Sequence, residues 1–213
     1  MKYLIMCGGK YEGWEKPRQL VEINGEPIVA RTIRLLRENG VYDIAISSND
    51  ERFDGFGVPR VTHKNDYNTA DAMGSDACWV DGFYSTTNEP ICYLFGDVVF
   101  SEEAIKTIVQ TETKDFELFA SAPPFDERYI KEWAEPFGIK VVASDDFRYG
   151  ISLCKFFEKQ GRFNRRPIAW ELWQILKHTP LNEVDYTNYT IINDWTCDID
   201  EPEDIKLIER YVK

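Results

Sequence analysis

Tyr3-Leu4-Ile5-Met6-Cys7-Gly8-Gly9-Lys10, followed closely by Lys16-Pro17-Arg18-Gln19-Leu20, is the stretch whose reading decides the fold. Five apolar or aromatic residues in succession read as a strand of a parallel sheet, buried on both faces. The two glycines let the backbone turn sharply and approach a ligand where a Cβ would intrude. Lys10, Lys16 and Arg18 then set three cations just beyond the turn. Strand, glycine turn and cations together suit a polyphosphate, which successive backbone N–H groups and fixed positive charge neutralise. A glycine pair also serves purely local turns, so the stretch alone leaves both readings open. It is not a P-loop, because no Gly-Lys-Ser/Thr follows at the required spacing. Nor is it the dinucleotide fingerprint, which needs a third glycine opening a helix.

Composition narrows the partners. A chain of 213 residues, 43% apolar, can bury the core of one large α/β domain. The net charge of -12 argues against broad contact with nucleic acid or an anionic membrane. An anionic substrate must therefore be caught by a local basic pocket. No signal-length apolar segment and no run of 18 apolar residues is present, so the expected location is the cytoplasm. Five cysteines without Cys-x-x-Cys spacing, and the isolated His63 and His178, predict reduced thiols and no zinc site.

Along the chain strand and helix alternate. Pro27 stands early in a helix whose apolar face is Ile28, Val29, Thr32, Ile33 and Leu36, stopped by Asn39-Gly40. Strands are predicted over 42–46, within 58–63, over 90–95 and over 116–120. A helix of about three turns is expected from Asn68 or Thr69, and another from the Ser101 cap. After Ala122-Pro123-Pro124 the alternation weakens. There the pattern predicts strands over 137–143 and 151–156, a helix opened by Pro167, a last strand over 189–192 and a terminal helix after Glu201-Pro202. No repeat, low-complexity tract or linker interrupts the chain, which reads as a single domain, 1–213.

Two carboxylates stand out. Asp97 ends a buried strand, on the sheet edge that also carries Gly8 and Gly9, and the capping role nearby is already filled by Ser101. Asp200 lies between a late strand and the terminal helix, where an acidic residue also suits a helix start. Two carboxylates beside a phosphate cradle are what Mg²⁺ requires, since it is held by one or two carboxylates plus substrate phosphates.

At these residues the chain resembles the nucleotidyltransferases with a glycosyltransferase-A-like fold. These include the sugar-phosphate, choline-phosphate and methylerythritol-phosphate nucleotidylyltransferases and the molybdopterin guanylyltransferases. The glycine turn with Pro17-Arg18-Gln19-Leu20 is similar to their signature ending Pro-Lys-x-Leu, and residues 21–28 are similar to the segment that follows it. Residues 67–75 resemble the base-side segment of the choline-phosphate branch. Leu94-Phe95-Gly96-Asp97 and Cys197-Asp198-Ile199-Asp200 resemble the two metal-binding segments.

The resemblance implies a Rossmann-like three-layer sandwich with a mostly parallel mixed sheet. Residues 1–121 and 190–213 would form the nucleotide and metal core, and 122–189 the acceptor-binding portion. It implies a Mg²⁺-dependent enzyme of nucleotide-sugar type biosynthesis that moves an NMP group from an NTP, CTP favoured, to a small phosphorylated acceptor. Mg²⁺ would sit on Asp97 and Asp200, with Lys16 and Arg18 catalytic. Met6, Cys7, Gly8, Gly9, Lys10, Asn68, Gly74 and Ser75 would hold the nucleotide. The family's Arg after the glycines is absent, with Glu12 and Gly13 nearest its place, and its Lys is replaced by Arg18.

Partners are then an NTP and a small phosphorylated molecule, without nucleic acid or membrane; a homodimer is compatible with the sequence. Two rivals share the fold: a glycosyltransferase using a nucleotide-sugar, and a non-catalytic nucleotide-binding module. Against the first, the lone Asp-x-Asp, Asp198-Ile199-Asp200, comes very late in the chain. For the acceptor, Arg162, Arg165 and Arg166 are a basic exception in an acidic protein. A helix opened by Pro167 would set Arg165 and Arg166 at its positive end, a poor place for cations unless an anion binds there. Tyr149, Trp170 and Trp195 are expected to wall in the rest of the acceptor. A solvated turn or a dimer contact is the plainer reading of the same arginines.

Overall fold

The computed structural model describes residues 1–8, 13–62, 79–83, 89–122 and 133–212. Seven strands form the central sheet: β1 (Lys2–Met6), β4 (Ile44–Ser47), β5 (Arg60–Val61), β6 (Ile91–Phe95), β8 (Phe116–Ser121), β9 (Pro136–Val141) and β10 (Thr190–Ile192). Their spatial order is β10-β8-β9-β6-β1-β4-β5. Every pairing is parallel except those of β9, which runs antiparallel to both β6 and β8. The sheet is therefore mixed and mostly parallel. β1 is an interior strand between β6 and β4, with Leu4 between Ala45 and Tyr93 and Met6 between Ser47 and Phe95.

Helices cover both faces, and β6 and β9 show how. Lys140 lies opposite Cys92, and its ammonium donates to the carbonyls of Val109 (3.1 Å) and Thr111 (2.6 Å) at the end of α2 (Glu102–Gln110). Burial pushes the Lys140 amine down, but a cation at a helix C-terminus and two satisfied carbonyls offset that cost. Tyr93, one residue on from Cys92, points the other way and stacks on Phe147 of α3 (Ser144–Lys159) at 5.7 Å. Helix α1 (Ile28–Glu38) touches α2, and α4 (Ala169–Leu176) touches α3. The result is the expected three-layer sandwich.

Local chemistry places the elements. Ser101 Oγ accepts the Ala104 N–H at 2.9 Å and starts α2, a cap typically contributing about 1 kcal/mol. Asn39 and Gly40 end α1, Gly40 at φ 78°, as the sequence requires. The second strand is displaced from 42–46 to 44–47, and Tyr42 is 79% exposed. The predicted strand over 151–156 is a correction: those residues belong to α3. Ile151 and Leu153 alternate with the small Ser152 and Cys154, which imitates a strand. The buried set Phe147, Gly150 and Cys154 has helical spacing. The helix expected from Asn68 falls outside the described residues.

Two short pairings lie outside the main sheet, one local and one joining distant parts of the chain. β2 (Glu22–Ile23) and β3 (Glu26–Pro27) form a hairpin, and β7 (Val98–Val99) pairs antiparallel with β11 (Cys197–Asp198). A second small core of Val21, Ile23, Ile28, Val99, Ile199, Ile208 and Val212 joins the hairpin, α1 and α5 (Pro202–Ile208). Among the described residues no helix is long and apolar enough to cross a membrane.

Candidate active site

Parallel strands deliver their C-terminal ends to one sheet edge, where ligands collect. β1 ends there at Met6, followed by Cys7 and Gly8; β6 ends at Phe95, followed by Gly96 and Asp97. Gly96 N–H donates to Met6 O (3.0 Å), stitching the ends of β6 and β1 together, and Cys7 N–H donates to Ser47 O (2.9 Å) at the end of β4. Those backbone groups are already engaged within the sheet, and Gly8 is the last described residue of this stretch. Cys7 itself is buried, and burial together with Asp97 pushes its thiol well above the ordinary range. Its side chain is packing, not chemistry.

Gly96 is fixed by space. A Cβ there would stand 2.5 Å from Met6 O, 2.8 Å from Cys7 Sγ and 3.0 Å from Gln19 Cγ. Gly96→Ala should therefore force apart the two strand ends that carry the glycine turn and Asp97. An overpacking cost of about 1–3 kcal/mol is expected. Thermal unfolding checks this, and an unchanged midpoint would show that the strand ends yield freely.

Asp97 and Asp200 meet through the β7–β11 pairing, which is completed by Ile199 N–H donating to Asp97 O at 3.0 Å. Between them lies Arg18, carried on the short turn Arg18–Leu20. Its Nη1 donates to Ile199 O (2.7 Å) and to Asp200 Oδ1 (3.0 Å), and its Nη2 lies 3.6 Å from Asp97 Oδ2. The three side chains are partly sheltered, at 23%, 28% and 48% exposure for Arg18, Asp97 and Asp200. Burial raises the Asp97 carboxyl above its usual range, Arg18 opposes that rise, and Asp200 adds to it. Lys16 is exposed two residues before Arg18.

Sequence reasoning missed two contributors. Trp14 Nε1 donates to Asp200 O (3.3 Å), so the loop after the glycines is held to the Asp200 segment at two points. No sequence pattern announced Trp14. Asp194 is the other: its carboxylate accepts from Ser101 Oγ and from Thr196 N–H (2.7 Å), and Thr196 Oγ1 accepts from Ser101 N–H (3.0 Å). That network anchors the strand carrying Asp198 to the start of α2.

The acceptor-side residues are less united. Helix α4 begins at Ala169, two residues later than expected. Its first turn contains Glu171, only 3% exposed, which accepts the Ile168 N–H (2.9 Å) and pairs with Arg165 Nε (2.6 Å). The anion that Arg165 needed is internal. Trp170 is fully buried, donating to Ala134 O at 2.9 Å and packing edge-on against Tyr186 and Tyr189, so it is core and not a wall of an open site. Trp195 stacks on Tyr211, with Arg31 above its ring, beside the second core. Tyr149 is 66% exposed on α3, and Arg166 is exposed. Gly9, Lys10, Asn68, Gly74 and Ser75 lie outside the described residues.

At this edge, then, the Arg18 guanidinium spans the Asp97 and Asp200 carboxylates, on the side where β1 runs out into Gly8. The comparisons agree on the lineage. The chain belongs to the family of MobA-like NTP transferase domains, whose profile matches residues 3–122. A comparison with curated proteins returns no match. Three solved structures are similar over nearly their whole length. The inositol-1-phosphate CTP transferase from T. maritima is 13% identical (TM-score 0.59, covering 98% of this chain and 93% of that one). HddC from Yersinia pseudotuberculosis, complexed with GMP-PN, is 14% identical (0.58, 100% and 99%). A Bacillus anthracis protein assigned as a glucose-1-phosphate thymidylyltransferase, in complex with sucrose, is 16% identical (0.58, 100% and 96%). At such identities the likeness is one of fold.

Proposed function

We propose that this chain is a Mg²⁺-dependent nucleotidyltransferase. It transfers an NMP group from an NTP, CTP favoured, to a small phosphorylated acceptor such as a sugar-, polyol- or amino-alcohol-phosphate, and releases pyrophosphate. The observation that carries the reading is the convergence of Asp97 and Asp200 on the Arg18 guanidinium at the sheet edge where β1 and β6 end. The named substrates of the similar structures support a phosphorylated small molecule as acceptor.

The residues fit a divalent cation. Asp97 and Asp200 are close enough to share one guanidinium. Such a pair suits Mg²⁺, which takes one or two carboxylates and fills its remaining positions with phosphate oxygens and water. Bound there, the ion would neutralise phosphate charge. The chain's own residues do the positioning. Gly8 opens the backbone cradle, Arg18 offers a fixed fork to the α-phosphate, and exposed Lys16 faces the leaving pyrophosphate. An acceptor phosphate oxygen forms the new bond to the α-phosphorus as the bond to the bridging oxygen breaks. The nucleophile is already an anion, so no general base is required.

We assign the acceptor to the portion 122–189, with Arg166 as its charged contact and the exposed Tyr149 of α3 as a second contact; the buried Trp170 is withdrawn from that set. Arg166→Ala should raise the acceptor KM about tenfold, the equivalent of one charge-assisted hydrogen bond, and leave the NTP KM unchanged. Arg165→Ala should instead lower the unfolding temperature, because it strands buried Glu171. Equal KM effects on both substrates from Arg166→Ala would return it to the general surface.

The test of the function is a panel of NTPs against phosphorylated sugars, polyols and amino-alcohols, read by pyrophosphate release. Release with CTP and one acceptor class supports the reading. Sugar transfer from a nucleotide-sugar without pyrophosphate marks a glycosyltransferase, and binding without turnover marks a nucleotide-binding module.

A further inference from the structure

Arg18 stands where the related signature has Lys, and it does something a lysine cannot. Its planar fork reaches three acceptors at once: Ile199 O at 2.7 Å, Asp200 Oδ1 at 3.0 Å and Asp97 Oδ2 at 3.6 Å. A lysine ammonium is a point charge on a flexible stem and would satisfy one or two of these. The carbonyl bond fixes the guanidinium in the gap between the carboxylates even though each ion pair is partly exposed to water. Trp14, bonded to Asp200 O at 3.3 Å, holds the same loop in place.

We infer that Arg18 is a built-in counter-ion of the carboxylate pair, which keeps Mg²⁺ off the nucleotide-free protein and makes cation and nucleotide arrive together. The inference rests on the proposed metal role of Asp97 and Asp200. The gap between two carboxylates cannot hold a guanidinium and a divalent cation at once. Free Mg²⁺ must displace a cation held by two ion pairs and a carbonyl bond, and it brings no new partner for the guanidinium. An incoming nucleotide changes that exchange, because its phosphates offer Arg18 a bidentate anion while the Mg²⁺ that they carry takes over the carboxylates. Arg18 moves from carboxylate to phosphate, and the site is charged by a swap of partners. With lysine the swap would be looser, since one ammonium cannot bridge both carboxylates and the Ile199 carbonyl as the fork does.

The experiment is calorimetric titration and thermal unfolding with MgCl₂ alone, then with MgCl₂ and CTP, on the wild-type chain, Arg18→Gln, Arg18→Lys and Arg18→Gln/Asp97→Asn. Wild type should bind Mg²⁺ alone at least tenfold more weakly than Arg18→Gln, with Arg18→Lys between them. The double variant should lose the gain. Unfolding midpoints should rise with Mg²⁺ alone in Arg18→Gln and hardly at all in wild type, as binding to the folded state requires. If Arg18→Gln does not fold, the Lys variant carries the comparison. Equal Mg²⁺ affinity in wild type and the Arg18 variants overturns the counter-ion role and leaves the metal site standing. Absence of Mg²⁺-dependent stabilisation in every variant, with and without CTP, overturns the metal reading itself.

Discussion

Asp97→Asn is expected to reduce turnover about 10³-fold and, at neutral pH, to raise the unfolding temperature. A group that stabilises charge in a transition state costs on the order of 10²–10³ when removed, and Asp97 is proposed to act both on the metal and on Arg18. The gain in stability follows from the direction of its pKa. Burial, reinforced by Asp200, holds the carboxyl above its usual range despite Arg18. A carboxyl with a raised folded pKa costs nothing below its unfolded pKa, where both states carry the proton. As pH rises toward and through the folded pKa, the folded state retains protons that the unfolded state has released, and stability is lost. Asparagine keeps the shape without the charge and escapes that loss. The difference in unfolding temperature should therefore be largest at pH 7–8 and vanish toward pH 4. A variant that loses activity and also unfolds earlier at pH 7 would show that Asp97 holds the strand ends together and that its catalytic assignment is unnecessary.

A carboxylate kept at a cost is the usual mark of a functional site, and this bears on what could be read from the sequence. β1 and β6 were legible because their apolar runs are short, continuous and bounded by Gly, Pro or charged residues, and β8 because its apolar residues, broken only by Glu117, end at Ala122-Pro123-Pro124. So was the Ser101 cap, whose hydroxyl meets the helix N-terminus as the spacing requires. The pairing of β7 with β11 was not legible. Two residues on each side, separated by about a hundred in sequence, leave no periodicity to detect, yet this contact is what brings Asp200 to Asp97. Residues 151–156 misled for the opposite reason: their alternation is real, but the packing of Phe147, Gly150 and Cys154 on the sheet and on α4 overrides it. At Arg165 the sequence posed the right electrostatic question, and Glu171, six residues on, supplied the answer from inside the fold. Trp170 was misplaced because an aromatic beside arginines resembles a binding wall. All eight residues of α4 are buried, including Glu171 and Gln174, and nothing in the apolar pattern separates a core tryptophan from a site tryptophan.

Arg18→Ala carries the second large effect: kcat should fall about 10²–10³-fold, while the KM for the NTP changes by no more than about threefold. The split arises from what the guanidinium touches. In the resting protein its hydrogen bonds go to Ile199 O and Asp200 Oδ1, with Asp97 close by, so none is yet spent on a nucleotide. In the proposed reaction its contact with phosphate forms as the nucleotide binds, in exchange for its bonds to the carboxylates, and strengthens most while charge moves from the α-phosphate to the leaving pyrophosphate, so its loss falls mainly on kcat. Losing the cation also frees the carboxylate pair for Mg²⁺, which offsets part of any loss in nucleotide affinity. Arg18→Lys should recover part of kcat, since a charge returns, but not all of it, because one ammonium cannot hold Ile199 O and both carboxylates together. Steady-state kinetics at saturating Mg²⁺ decides the matter. A raised KM with unchanged kcat would place Arg18 in nucleotide binding alone. Full activity in Arg18→Ala would move the reacting centre away from the Asp97–Asp200 pair, and with it the proposed function.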